Sequence, residues 1–124
     1  NLYMKMLSLK EQFRILEIGN NEISNECRRL DIDSSYFTFS KEEFLKWCES
    51  VDLNHFCFTY VGKGDGLYFV NDRDKNWMLY WQEREIASLV KRFTNQTEGK
   101  IYTIATRLHD IIDHPALVSI LALK

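Results

Sequence analysis

The side chains that could do chemistry are few and scattered. His109-Asp110 has the form of the adjacent ligand pair of metal-dependent phosphohydrolases. Those enzymes need further His and Asp ligands, and only His55 and His114 remain. His114 lies beyond a helix break, and no cysteine–histidine spacing suits zinc. Glu83 and Glu85 could act as an acid–base pair. On an extended chain, however, their Cα atoms lie roughly 6–7 Å apart with basic Arg84 on the opposite side. Gly62-Lys63-Gly64-Asp65-Gly66 resembles a phosphate loop, which needs a helix after it with amides aimed at the anion. An apolar, strand-like run follows instead, so a hairpin turn is the better reading. Asn95-Gln96-Thr97 fits a glycosylation sequon and, equally, a helix cap. Tyr60, Tyr68, Trp77, Tyr80 and Trp81 could stack nucleic-acid bases, but the basic residues near them are mixed with acids.

These residues must be positioned by a small domain. The chain has 124 residues, 45% apolar and 27% charged, which is enough for one hydrophobic core without metals or staples. A single domain over 1–124 is expected, with Asn1-Leu2-Tyr3 read as the remnant of a tag-cleavage site. No apolar run reaches the length of a membrane span and no signal peptide is evident, so a cytoplasmic protein is expected, with no membrane partner. Cys27, Cys48 and Cys57 are odd in number, lack close pairing and fall on apolar faces. Buried free thiols are therefore expected. No cofactor and no metal is expected.

Periodicity places the elements. Ser8-Leu9-Lys10-Glu11 is a capping box, followed by a stripe of Leu9, Phe13 and Leu16. Gly19-Asn20-Asn21 separates this helix from a second, with Ile23, Cys27 and Leu30 on one face. Ser40-Lys41-Glu42-Glu43 is a second capping box, flanked by the hydrophobic staple pair Phe39 and Phe44. Residues 54–93 then read as an antiparallel four-stranded meander: His55–Val61, Leu67–Val70, Asn76–Glu83 and Ile86–Phe93. In the first run Phe56, Phe58 and Tyr60 would share a face. Neither face of the meander is plainly polar, which leaves open whether helices cover both or a partner covers one. Asn95 caps a helix with the inner face Ile101, Ile104, Ala105, Leu108 and Ile112, and Gly99 weakens its first turn. Pro115 starts a short apolar helix. The expected class is α+β, a four-stranded meander packed with N-terminal helices and a C-terminal helix.

Residues 21–52 carry eight carboxylates against four basic side chains. That asymmetry disfavours a nucleic-acid partner and favours a basic protein.

The succession FTFSKEEFLKWCES, YVGKGDGLYFV and DKNWMLYWQERE, then a strand ending in Phe93 and a capped helix, resembles small immunity proteins of bacterial polymorphic toxin systems, including contact-dependent growth inhibition. Trp77, Tyr80, Glu83 and Arg84 match one strand signature of those families, and Phe93, Thr94 and Asn95 the next. Glu85 stands where a glycine is common. The resemblance spans residues 36–112. It implies a non-enzymatic protein that binds the C-terminal domain of a cognate toxin, often a nuclease, and blocks its active site. On this reading Glu22, Glu26, Asp31, Asp33, Glu42 and Glu43 face the toxin, with Asp65, Asp72 and Asp74 as a second edge. The alternatives are a nucleic-acid-binding adaptor using an aromatic sheet face, or a metal-dependent hydrolase built on His109 and Asp110.

Overall fold

The computed structural model describes residues 6–122, so the proposed tag remnant lies outside the described residues. The architecture is α+β: helices α1 (Leu9–Glu17), α2 (Asn20–Leu30) and α3 (Lys41–Cys48), strands β1 (Gly66–Arg73), β2 (Asn76–Glu83) and β3 (Ile86–Phe93), then α4 (Gln96–His109) and α5 (Pro115–Leu121). The strands form one antiparallel sheet in the order β1-β2-β3. Among the described residues, no helix is long and apolar enough to cross a membrane.

Both capping boxes form as their spacing dictates. Ser8 Oγ accepts from the Glu11 amide while the Ser8 amide donates to Glu11. Ser40 and Glu43 do the same at the start of α3. Asn95 accepts from the Glu98 amide, so the sequon asparagine serves as a helix cap.

The main core lies among the helices. Ile15, Leu16, Ile23, Phe39, Phe44, Cys48, Ile104, Leu108 and Leu117 are among its buried members. Gln12 is buried with them and holds α1 to the segment before α3. Its Nε2 donates to the Leu7 carbonyl and Thr38 Oγ1, and its Oε1 accepts from the Thr38 and Phe39 amides. Four hydrogen bonds offset the desolvation of this amide.

The fourth strand does not form. Residues 55–61 begin in a 3₁₀ turn, Leu53–His55, whose Asp52 carboxylate accepts from the Asn54 amide. The Phe56 and Cys57 amides then both donate to the Leu53 carbonyl, which curls the chain out of the extended state. Phe58 alone meets the sheet, as a parallel bridge to Tyr68. A sustained parallel pair needs a crossover of a dozen or more residues, and fewer separate these two. The expected alignment of Phe56, Phe58 and Tyr60 is lost with the strand. Phe56 enters the helical core edge-on to Trp47, Phe58 stays on the sheet, and Tyr60 is exposed.

The glycine loop is accordingly not a hairpin. Its carbonyls turn inward: Gln82 Nε2 donates to the carbonyls of Gly62 and Gly64, and the Tyr68 hydroxyl donates to Gly64. The Asp65 carboxylate accepts from the Arg84 amide, tying the loop to the β2–β3 turn. That turn is tight, with Arg84 at φ 51° and Glu85 at φ 66°. Two consecutive left-handed residues match the twist of the flanking strands, so the reversal survives without glycine.

One face of the sheet lies against α4 and holds Leu67, Phe69, Leu79 and Phe93. Contact is close at Gly99, where an added Cβ would stand 2.4 Å from Phe69 Cζ. The opposite face holds Tyr68, Val70 and Tyr80 with Phe58 and Met78 beside them. It is closed by its own rings, Tyr68 and Tyr80 stacking at 5.1 Å with planes 2° apart. Thus α4 covers one apolar face and a self-packed aromatic cluster accounts for much of the other.

Candidate functional site

The catalytic candidates of the sequence do not converge. His109 is exposed at the end of α4, with Asp110 as its C-cap. His114 is buried elsewhere as the N-cap of α5, its Nδ1 accepting from the Ala116 amide. Its ring stacks on Phe39 at 4.0 Å with planes 1° apart. Burial holds this imidazole below the usual histidine range, so it is neutral at pH 7. Among the described residues, no three His, Cys, Asp or Glu side chains gather as a metal site would need. Glu83 and Glu85 are exposed at either end of the β2–β3 turn.

The five rings of the expected stacking platform separate. Tyr68 and Tyr80 are buried on the face away from α4. Trp77 packs against Phe69 on the other, at 5.2 Å and nearly parallel. Trp81 lies beneath the Arg107 guanidinium, 5.2 Å from the ring centroid, and Tyr60 stands off the sheet. Alternation along β2 puts Trp77 and Trp81 opposite Tyr80, so one exposed platform is geometrically excluded.

The cysteines sit where burial disfavours the thiolate. All three are free, Cys48 buried and Cys27 and Cys57 half-buried. Burial pushes the thiols of Cys48 and Cys57 up to about 12 and raises Cys27 as well, which keeps them protonated.

The nine acidic residues of the proposed contact surface divide by what the fold asks of them. Glu43 closes the α3 capping box, and Asp33 caps a 3₁₀ turn by accepting from the Ser35 amide and hydroxyl. Glu26 is ion-paired with Arg29, one turn further along α2. Asp65 holds the Arg84 amide and Asp72 accepts from Asn76 Nδ2. The carboxylates of Glu22, Asp31, Glu42 and Asp74 are exposed and make no hydrogen bond or ion pair among the described residues. Asp31 and Asp74 also adopt positive φ, at 56° and 49°, closing α2 and the β1–β2 turn.

Sequence reasoning missed two surface features. The first is the outer strand β3, where Ile86, Ala87, Ser88, Leu89 and Val90 are all exposed. An apolar strand sequence does not reveal whether it lies at the centre or the edge of a sheet. The second is a half-open groove of about 650 Å³ between α3, α4, α5 and the end of β3. Its apolar floor includes Leu45, Ile101, Tyr102 and Ile120, and Lys41, Lys91 and Arg92 stand at its edges. Lys91 lies over the Tyr102 ring at 4.8 Å, and Lys41 donates to Ser119 Oγ. Only the assembled helices bring these residues together. Compared with family models, curated proteins and solved structures, the chain matches none of them.

Proposed function

We propose that this chain is an immunity protein that neutralises a cognate toxin domain by binding it and blocking its active site. The observation that supports this reading is the set of exposed acids that make no hydrogen bond or ion pair among the described residues: Glu22, Asp31, Glu42 and Asp74. Glu26 on α2, Glu43 on α3 and Asp72 on β1, with Asp33 and Asp65 in loops, add charge while doing structural work of their own. A nuclease groove is lined with cations that normally hold phosphates, and an acidic protein surface competes for it. Such surfaces steer encounter and raise association rates by factors of 10–1,000, with steep salt dependence.

The test looks for a toxin-like C-terminal domain encoded beside this chain and pairs that purified domain with the chain. A 1:1 complex that abolishes toxicity and loses affinity as salt rises is expected. Glu22→Lys, Asp31→Lys and Glu42→Lys together should slow association by about tenfold or more at low salt. Unchanged association rate and salt dependence would refute the acidic-surface assignment. No complex with that domain would refute the immunity reading itself.

A further inference from the structure

We infer that the free edge of β3 pairs with the β3 of a second copy of this chain, in antiparallel register about Ser88. This proposal is independent of the toxin-binding reading. Strand β3 is hydrogen-bonded to β2 on one side, and no strand lies on its other side among the described residues. Its middle is apolar and uncharged, with Ile86 71% exposed, Leu89 54% and Val90 38%. Sheet edges are commonly blunted by a central lysine, a proline or a covering segment. The opposite edge, β1, has such a cover in the bridge from Phe58. Residues 86–90 contain neither lysine nor proline.

The occupant is argued from charge. Acidic Glu83 and Glu85 lie at the start of the strand, with Arg84 between them, and basic Lys91 and Arg92 lie at its end. A twofold axis through an antiparallel pair places a residue opposite its own copy. With Ser88 on the axis, Ala87 faces Leu89 and Ile86 faces Val90, and the net-acidic turn of residues 83–85 lies toward the Lys91 and Arg92 end of the other copy. Each net-acidic turn thereby meets the basic end of the other copy, at both ends of the ladder. A parallel pairing would set like ends together. The β-bulge at Val90, where Leu79 and Tyr80 pair with Lys91 and Leu89, ends the regular stretch and keeps the ladder short. So short a contact falls in the small-interface class, which sets an expectation of weak, reversible dimers.

Sedimentation velocity from 5 μM to 1 mM tests this directly, with amide chemical shifts followed over the same range. A monomer–dimer equilibrium is expected, with concentration-dependent shifts centred on Ile86–Val90 and tighter association at low salt. Ser88→Glu places two carboxylates on the axis, and Glu83→Lys with Glu85→Lys reverses the acidic end. Each variant should weaken the dimer at least tenfold while its thermal transition and circular dichroism show that it still folds. A chain that stays monomeric at 1 mM overturns the proposal. So does a dimer that neither folded variant weakens. A chain monomeric alone whose β3 amides shift only on adding another protein would assign the edge to that protein and refute self-pairing.

Discussion

At the scale of single residues, two buried polar groups explain more of the fold than any catalytic motif. Gln12 satisfies two main-chain amides of the segment leading into α3, and an alanine there would leave them without partners. Gln12→Ala is expected to cost about 2–3 kcal/mol, read as a lower urea midpoint at unchanged slope. His114 is held neutral by burial, whereas in the unfolded chain it gains a proton below about pH 6.5. Because the unfolded state then binds more protons, stability contributed by this group is present above that pH and is lost as pH falls through it. His114→Asn keeps a side-chain acceptor for the Ala116 amide and removes the titration. It should flatten the decline of thermal stability between pH 7 and pH 5 relative to the parent chain. Both roles escaped the sequence reading, since glutamine in an amphipathic helix usually faces water and a lone histidine before proline shows no partner. The thiols were legible only in part: three unpaired cysteines on apolar faces predicted burial, while two of them are half-buried.

At the scale of elements, the close approach of α4 to the sheet depends on Gly99. A glycine near a helix start looks like a local weakness worth about 1 kcal/mol against alanine. In the fold it is the contact point for the Phe69 ring, where a Cβ has no room. Gly99→Ala should therefore lower stability by about 1–2 kcal/mol net, since overpacking outweighs the gain in helix propensity. Chemical unfolding would show the opposite sign if propensity decided the outcome. The β2–β3 turn behaves in the reverse sense. Arg84 and Glu85 both occupy left-handed backbone, a conformation that costs L-residues of order 1 kcal/mol each. Replacing Arg84-Glu85 with Asn-Gly should raise stability by about 1 kcal/mol and leave the β-sheet signal unchanged. The absence of glycine from this turn cast doubt on a tight reversal, yet strand pairing on both sides imposes it. Strands β2 and β3 were legible as 76–83 and 86–93 because aromatic and β-branched runs are bounded by polar turns. The strand expected at 55–61 failed because Asp52 and Leu53 capture its first amides locally.

At the scale of the whole molecule, the helical core and the sheet share α4, whose Ile104 and Leu108 face the helices while Tyr102 packs toward the sheet. Unfolding of one layer therefore strips a face from the other, and a single cooperative transition is expected. Cys48, fully within the helical core, reports on it. Its reaction with a thiol reagent should be limited by global opening and follow the same denaturant dependence as circular dichroism. A reaction as fast as that of a free thiol in native conditions would show that the helical layer opens on its own.

The sequence by itself determined the α+β class, two capping boxes, the third helix cap and three of the strands. Each follows from short-range physics: a hydroxyl or carboxamide within reach of an amide, or an apolar period matched to a helix or a strand. It also determined an excess of carboxylates in residues 21–52. The tertiary structure decided what no local pattern encodes. It tied Asp65 to the Arg84 amide, stacked His114 on Phe39 away from His109, and split the aromatic residues between two faces. It also left the apolar β3 at an edge. These outcomes depend on contacts between residues far apart in the chain, where packing and the pairing of buried polar groups outweigh local preference.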